Sequence, residues 1–458
     1  MKTLHRAAAL CVAVLSLAGS VLAATPLYNF GFEASNGSGD VSSLVTDQHG
    51  ALYGTTQAGG SMGEGTVFQL APPGKGETTW KLTVLYSFCQ VASCIDGKSP
   101  VAGLIWAKQP TGVTALFGTT QGGGSDGWGT VFRLTPPGPG ETAWTETVLH
   151  SFRNGDDGND PLGRLVADTT GPFALYGTTN GGGTGVCDNG CGTIFKLTPP
   201  TKQHPDSWQE TVLYSFGVGG TGWYPKAGLI IDNQGALYGT TYEGGASGYG
   251  TAFVLKPPAT GQTNWTYSTL HDFAGKSDGA NPRTGLLGDA HGGLYGTTAY
   301  GGDNCDSNSY SCGTVFKLVP PDKYVPTWTV ATLHSFKYED AEDGHYPLGD
   351  LIFGKDGAIY GTTQYGGTPT GKLGPCGFLY RCGTIFRLEG AQAEWTLSTI
   401  YKFCSDANGC PIGAYPTAGL VAYQGVLYGT TSSDGEGYAC GCGAIFELEY
   451  PNDRGRRD

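Results

Sequence analysis

Acidic side chains crowd two short stretches of this chain of 458 residues, Asn154–Asp160 and Glu339–Asp343. Two carboxylates at a suitable separation hydrolyse glycosidic bonds, one acting as acid and the other as base or nucleophile. The same oxygens suit calcium, but neither stretch has the residue spacing of an EF-hand loop. Asp157 and Asp343 are therefore candidate ligand contacts. Because the chain has no nucleophile elbow, P-loop or HExxH motif, we expect no catalytic residue, no metal ion and no cofactor, with Ca²⁺ as the ion that the acidic loops would suit.

Large aromatic residues form a second set of candidate contacts. They occur in glycine-rich segments whose length and composition vary along the chain, which is unlike the pattern of a core. Flat rings with a polar tip suit sugar rings or an extended polymer, so we expect a recognition surface for an extracellular glycan or protein. The alternative is that these rings pack onto neighbouring loops. The residues are Trp128, Trp223, Tyr224, Tyr249, Tyr346, Tyr365 and Tyr415.

The cysteines also fall into a pattern that could do chemistry. Apart from Cys11, twelve of the thirteen form six close pairs, which are Cys89/Cys94, Cys187/Cys191, Cys305/Cys312, Cys376/Cys382, Cys404/Cys410 and Cys440/Cys442. Four pairs recur in one kind of loop and are absent where that loop is only eight residues long. This correlation predicts disulfides that staple long loops in an oxidising compartment. Zinc binding by the shortest pairs is the alternative, and the lack of partner histidines weighs against it.

These residues are placed by a repeated unit whose core reads LYGTT. Seven copies occur, beginning at Leu52, Leu116, Leu175, Leu237, Leu294, Ile359 and Leu427, and they are spaced 57 to 68 residues apart. Each copy lies between an apolar run and a segment of the type GTVF, and a fourth run leads from a tryptophan to a Tyr-Ser-Phe signature. All four runs are short, alternate in polarity and are rich in β-branched and aromatic residues, as strands are. The D-G-x-x-P segments before four of the units, and degenerate forms ending at Pro225 and Pro416, are typical of turns.

Four antiparallel strands in each of seven units predict an all-β fold, a closed seven-bladed β-propeller. The last unit stops at Leu448 without a fourth strand, and the missing signature, Leu27–Phe30, stands near the start of the chain. We therefore expect the N-terminal strand to complete the last blade, which removes the open edges of the sheet array. A solenoid is the alternative, but its end repeats need caps that the sequence does not show.

Composition and the N-terminus indicate an exported protein. Residues 1–23 combine a basic start with a short apolar run and small residues, which is typical of a cleaved signal peptide. We expect one propeller domain over residues 24–450, a flexible tail over 451–458, and no membrane span once the signal is removed. Charged residues make up 14% of the chain and the net charge is −13, which opposes a nucleic-acid partner.

The unit LYGTT…GG…GTVF…YSF resembles the GloVer tandem repeat of secreted bacterial "choice-of-anchor" proteins, from about Leu27 to Leu448. The resemblance implies an exported bacterial protein and transfers no catalytic residue. Together with the aromatic, cysteine-rich loops, it favours a secreted or periplasmic binding module that does not catalyse a reaction. The alternatives are a polysaccharide-cleaving enzyme that uses acidic loop residues and a purely structural extracellular ring.

Overall fold

The computed structural model describes residues 24–31, 34–202, 207–217, 221–303, 312–338, 343–367, 382–391, 394–404, 410–433 and 443–450. Several predictions from the sequence therefore lie outside the described residues. They are the signal segment, the tail, the acidic positions 339–342, and the cysteines Cys305, Cys376, Cys440 and Cys442. No helix in the described ranges is long and apolar enough to cross a membrane.

Apart from one two-stranded ribbon, the strands of the described residues form seven antiparallel sheets in sequence order, as predicted. The chain begins with β1 (Ala24–Asn29), and the first blade then contains β2 (Ser38–Val41), β3 (Val45–Thr46), β4 (Leu52–Ala58), β5 (Thr66–Ala71) and β6 (Lys81–Ser87). The second blade contains β7 (Ile105–Lys108), β8 (Thr114–Thr120), β9 (Thr130–Thr135) and β10 (Thr145–Ser151). The third contains β11 (Val166–Asp168), β12 (Ala174–Thr179), β13 (Thr193–Thr198) and β14 (Gln209–Ser215).

The remaining blades repeat this order. A two-stranded ribbon of β15 (Gly222–Trp223) and β18 (Glu243–Gly244) accompanies the fourth blade, which contains β16 (Ile230–Ile231), β17 (Leu237–Thr241), β19 (Thr251–Lys256) and β20 (Thr266–Asp272). The fifth contains β21 (Leu287–Gly288), β22 (Leu294–Thr298), β23 (Thr314–Val319) and β24 (Thr329–Ser335). The sixth contains β25 (Ile352–Phe353), β26 (Ile359–Thr363), β27 (Thr384–Ala391) and β28 (Glu394–Lys402), and the seventh β29 (Val421–Tyr423), β30 (Val426–Thr431) and β31 (Ala444–Glu449). Short 3₁₀ turns occupy Ala34–Asn36, Ala92–Cys94 and Gly155–Asp157.

The N-terminal strand closes the ring, which confirms the predicted split of the last blade. β1 pairs antiparallel with β31, with Pro26 opposite Phe446 and Asn29 opposite Ala444. The amide of Phe30 then donates to the carbonyl of Gly443 at 3.1 Å. β1 therefore forms the outer edge of the seventh sheet, where the other blades have their own fourth strand.

The glycine and the two threonines of the LYGTT segment each make a specific contact that the blade requires. In the fourth blade a Cβ on Gly239 would lie 2.7 Å from Cζ of Phe253, so the phenyl ring of the GTVF-type strand requires glycine there. Thr240 donates to the carbonyl of Thr284 in the next blade at 3.0 Å, while Thr241 lies 2.9 Å from Thr251 in its own blade. One threonine therefore ties neighbouring blades together, and the other ties neighbouring strands.

The hydrophobic core consists of clusters that each join two adjacent blades. One cluster joins Phe117 of the second blade to Phe195 of the third, and another joins Phe30 and Phe68 across the point of closure. The tryptophans that begin the fourth strands pack against these clusters, as expected: Trp144 lies 6.1 Å from Trp106 and 6.3 Å from Tyr53, measured between ring centroids. Burial between blades therefore holds the loops of neighbouring units in a fixed relation.

The disulfide prediction is confirmed where the structure describes both partners. Bonds join Cys89 to Cys94, Cys187 to Cys191 and Cys404 to Cys410. Cys312 and Cys382 are also disulfide-bonded, and their predicted partners lie outside the described residues. Disulfides of this kind are typical of proteins that fold in an oxidising compartment.

Candidate functional site

The loops that lead into the blades converge on a cavity of about 480 Å³. Residues from all seven blades line it, so it lies on the axis of the ring. The size falls within the range of small-molecule and cofactor sites. The side chains that line the cavity differ from blade to blade. Most stand next to the proline that precedes a blade, or directly after the LYGTT segment.

The residue before that proline has an unusual backbone in six blades. Its φ lies between 53° and 61° at Ser99, Asp160, Tyr224, Asn281, Tyr346 and Tyr415. Both the side chain and the following proline disfavour this left-handed conformation, so surrounding contacts must hold it. The amide of Tyr346 donates to the carbonyl of Cys312 at 2.8 Å, and its carbonyl accepts from the amide of Gln364 at 3.0 Å. The repeat thus fixes the backbone at a position whose side chain varies from blade to blade.

Three of the predicted aromatic contacts come together beside the cavity. Tyr346 and Tyr365, which line it, stack with centroids 5.5 Å apart and planes 18° apart. Tyr415 meets Tyr365 edge-on at 5.9 Å. Tyr300, which the sequence reasoning missed, packs 5.2 Å from Tyr346, and the two hydroxyls lie 3.1 Å apart. These half-buried rings form a continuous aromatic wall, which we call the tyrosine wall.

The other predicted aromatics lie apart from this wall. Trp128, in the second blade, and Trp223 and Tyr249, in the fourth, are 42%, 37% and 45% exposed. The ring of Tyr249 lies against Gly275 of the following loop, where an added Cβ would come within 2.7 Å of it. Tyr224 is half-buried and occupies the same position before proline as Tyr346. The structure therefore separates the predicted residues into a contiguous group and single exposed rings.

Basic residues on the cavity wall were missed by sequence reasoning. Lys226 and Arg283 each follow the proline of their blade, and Arg164 stands three residues after the proline of the preceding blade. The Lys226 ammonium lies 3.7 Å from the ring centroid of Tyr242, and the Arg283 guanidinium lies 5.5 Å from the same centroid. Burial, and then the charge of Arg283, lower the pKa of Lys226. An alignment of the repeats on their prolines was the signal that could have found these residues.

The predicted acidic contacts Asp157 and Asp343 do not line the central cavity. Each pairs with a histidine of the preceding outer strand: Asp157 Oδ1 lies 3.2 Å from His150 Nε2, and Asp343 Oδ2 lies 3.0 Å from His334 Nε2. Asp278 and His271 repeat the arrangement at 3.0 Å. The aspartate of the D-G-x-x-P segment therefore ties that segment to the end of the outer strand, and the histidines have the structural place that the sequence predicts.

Asp157 also faces a further carboxylate, Glu210 of the next blade, as Asp96 of the first such segment faces Glu146. His150, Asp157 and Glu210 each bring one donor atom within 4.8 Å of the others. Burial raises the pKa of Glu210 to about 7, with a further contribution from Asp157. Burial also acts to raise the pKa of Asp157, but the hydrogen bond from His150 brings it below its ordinary value. Asp157 and Glu210 border an outer cavity of about 350 Å³.

A second group with metal-ligating side chains is already chemically committed. Cys382, Cys404 and Cys410 bring their sulfur atoms within 4.8 Å of one another. Cys404 and Cys410 are bonded to each other, and Cys382 is also disulfide-bonded, so these sulfurs are not free thiolates. In the described part of the chain, the His150, Asp157 and Glu210 group is the arrangement with donor atoms available for an ion.

Comparisons with known proteins agree with the repeat and the fold. The profile of the Gloeobacter/Verrucomicrobia repeat matches residues 174–446. A fungal alcohol oxidase of the AA5 family, solved with copper, is 13% identical, with a TM-score of 0.51 over 94% of this chain and 76% of the oxidase. The Trypanosoma rangeli sialidase is 9% identical, with a TM-score of 0.40 over 83% of this chain and 57% of the sialidase. At 13% identity the likeness to the oxidase shows the fold alone, and no curated protein matches the sequence.

Proposed function

The chain belongs to the Gloeobacter/Verrucomicrobia repeat family, and we propose that it is an extracellular binding module that holds a glycan in its central cavity without cleaving it. The observation that carries the proposal is the tyrosine wall beside a cavity on the axis of the ring. Stacked phenol rings offer flat apolar surface to the C–H faces of sugars, and their hydroxyls offer hydrogen bonds. The cavity is open to a ligand that enters along the axis, where a chain end or a side branch of a polymer fits best.

The architecture supports a binding role because it separates scaffold from specificity. The backbone before each proline is held in one conformation while its side chain changes from serine to aspartate, asparagine or tyrosine. On such a fixed backbone, a change of side chain alters the ligand contacts without altering the fold. The disulfides staple the loops around it, which lowers the entropy that binding would otherwise cost. Trp128, Trp223 and Tyr249 remain predicted contacts for a larger ligand that extends beyond the cavity.

The proposal is tested with the mature, oxidised protein on a polysaccharide array, with retained protein and released reducing ends both measured. Tyr346→Asn and Tyr365→Ser place at these positions the residues that Asn281 and Ser433 supply in other blades, so the fold should tolerate both. Each should weaken retention by about tenfold, as the loss of a central aromatic contact does. Trp128→Glu, which copies Glu64, is the matched change outside the cavity. If only this last variant weakens retention, the cavity is not the site.

Glycoside hydrolysis is a second candidate function, favoured by the pair Asp157 and Glu210. Their pKa values are shifted in opposite directions, Asp157 downward and Glu210 to about 7, which is the pattern of an acid and a base or nucleophile. Binding remains the leading proposal because Oε1 of Glu210 is shielded from solvent and has no hydrogen-bond partner among the described residues. A general acid must reach the oxygen of the leaving group.

The two functions are distinguished by the released reducing ends. Hydrolysis at this pair requires release by the natural protein, a fall in release by at least about a hundredfold in Glu210→Gln, and no change in Asp278→Asn. Asp278 provides the matched control because it pairs with His271 as Asp157 pairs with His150, but it faces no second carboxylate in the part of the chain that the structure describes. Retention without release in all three proteins would exclude hydrolysis at this pair.

A further inference from the structure

The charges that line the central cavity are unevenly distributed around the ring. Arg164, Lys226 and Arg283 come from three successive blades and form a basic side. The carboxylates of Asp350 and Asp40 belong to the sixth and first blades and lie on the remaining part of the wall. Asp350 Oδ1 is engaged with the scaffold, since it accepts the amide hydrogen of Gly285 at 2.7 Å. The cavity therefore has a basic side, whose cations differ from Asp350 in that no hydrogen bond joins them to the backbone of a neighbouring blade among the described residues.

These three cations differ from the paired cations of the outer hairpins. Arg387 lies 2.8 Å from Asp356, and Lys317 lies 3.3 Å from Asp289. Among the described residues, no carboxylate forms an ion pair with Arg164, Lys226 or Arg283. Lys226 and Arg283 instead both contact the ring of Tyr242, and Arg283 Nη1 donates to the hydroxyl of Tyr346 at 3.3 Å.

Two like charges beside one ring are costly unless an anion joins them. Burial and the neighbouring Arg283 lower the pKa of Lys226, and the opposing effect of the Glu243 carboxylate does not offset them. Other blades avoid it, because the position after the proline holds Val101, Leu162, Leu348 or Thr417. The fold thus does not require a cation at this position. The cations are better explained by a ligand that arrives with negative charge.

We propose that the glycan held in the central cavity is acidic, and that its carboxylate or sulfate groups bind Lys226 and Arg283, with Arg164 completing the basic side. This inference rests on the proposed glycan-binding function and names its ligand class. The Arg283 contact with Tyr346 places the anion site directly beside the tyrosine wall, so one sugar unit can stack on a ring while its acidic group reaches the cations. An acidic peptide would use the cations but has no ring face to place on the tyrosines.

The test compares ligands that differ only in charge. Hexagalacturonate is set against its fully methyl-esterified form, dextran sulfate against dextran, and a glutamate hexapeptide represents an acidic peptide. We expect the natural protein to bind at least one acidic saccharide about tenfold more tightly than its neutral counterpart, with affinity falling as salt rises. Preference within the two pairs identifies carboxylate or sulfate as the recognised group.

The variants use residues that the chain itself places at the same positions. Lys226→Thr and Arg283→Leu copy Thr417 and Leu348, and Arg164→Ser copies Ser43. The double variant Lys226→Thr, Arg283→Leu should remove the preference, so that the acidic saccharide binds no more than about twofold more tightly than the neutral one. Lys81→Thr copies Thr145 on an outer strand and is the matched control for loss of one charge. Thermal melts establish that each variant is folded.

The possible outcomes separate this inference from the proposed function. Equal binding of charged and neutral saccharides, unaffected by the double variant, would overturn the acidic ligand and leave the glycan-binding module intact. Failure to bind any saccharide would overturn both. Tighter binding of the glutamate hexapeptide than of either acidic saccharide would overturn the saccharide class and identify the partner as an acidic peptide.

Discussion

At the scale of single residues, Glu146 and Glu210 occupy the same position of the second and third blades, and burial raises the pKa of both. Glu210 thus carries a cost that an apolar residue at this position avoids. Its Oε1 is buried without a partner among the described residues, whereas Leu397 occupies the same place beside the His334–Asp343 pair. Its pKa in the folded protein is about 7, above the ordinary value of 4.5. The folded state therefore binds the proton more tightly than the unfolded state does, and the free energy of unfolding decreases as the pH rises from 4.5 through 7.

Glu210→Leu should remove this pH dependence. We expect the variant to be more stable than the natural protein at pH 8 by about 1–2 kcal/mol, after allowance for partial solvent screening, with little of this difference left at pH 4. Urea unfolding at the two pH values measures the change. Glu77→Gln, on an exposed turn, controls for the loss of one negative charge. An equal gain at both pH values would show that added apolar contact, rather than ionisation, is responsible.

The glycine of LYGTT gives a second prediction at the residue scale. A Cβ on Gly239 would lie 2.7 Å from Phe253 Cζ and 2.8 Å from Leu229 Cδ2, both in the core. Gly239→Ala should therefore lower the free energy of unfolding by about 1–3 kcal/mol through overpacking. Gly171→Ala is the control, because no atom lies within 4 Å of the added Cβ. Similar losses in both variants in urea would contradict the packing explanation.

At the scale of elements, the D-G-x-x-P segment is tied to the outer strand by an aspartate and an aromatic or histidine partner. Asp278 Oδ2 accepts from the amide of Ala274 at 2.9 Å and lies 3.0 Å from His271 Nε2. The first loop uses tyrosine instead, with the Tyr86 hydroxyl 2.8 Å from Asp96. The exchange of tyrosine and histidine two residues before the phenylalanine of this signature therefore preserves one contact with two side chains.

This exchange predicts an asymmetry between two substitutions. Asp278→Ala should lower the free energy of unfolding by about 1–3 kcal/mol, since it leaves a partly buried amide and imidazole without their acceptor. His271→Tyr should change it by less than about 1 kcal/mol, because tyrosine can donate to the same aspartate as in the first loop. Guanidinium unfolding of both variants measures the difference. A loss on His271→Tyr as large as that on Asp278→Ala would contradict the proposed equivalence.

Sequence reasoning reaches the elements more fully than the site. The strands were predictable because the LYGTT and GTVF-type segments repeat an alternating pattern. The disulfide pairs were predictable because twelve cysteines form six close pairs, four of which occur only in the longer loops. Tyr346, Tyr365 and Tyr415 were predictable as variable aromatics. Their contact with one another was not, since it depends on how far each blade turns about the axis. Lys226 and Arg283 match no sequence motif. Their place on the cavity wall was not predictable, because it depends on the meeting of loops from all seven blades.

At the scale of the whole molecule, the ring is closed by a strand from the other end of the chain. Phe30, which follows β1, is fully buried and meets Phe68 edge-on with ring centroids 5.4 Å apart. Phe216, at the same position of the third blade, is also fully buried and meets Phe253 at 5.3 Å. The closing contact thus has the geometry of a contact made within a continuous stretch of repeats.

A closed ring that unfolds as one unit should respond equally to damage at either point. Phe30→Ala and Phe216→Ala should each lower the free energy of unfolding by about 3–5 kcal/mol, with a single transition and an unchanged denaturant slope. Hydrogen exchange should give the amides of β1 and β14 similar protection in the natural protein, because both strands would be exposed by the same global opening. If the N-terminal strand were attached only locally, Phe30→Ala would cost much less, and the amides of β1 would exchange faster than those of β14. Equal losses would instead establish that the split blade is as strong as the others, so the axial cavity is held by a ring without a weak point.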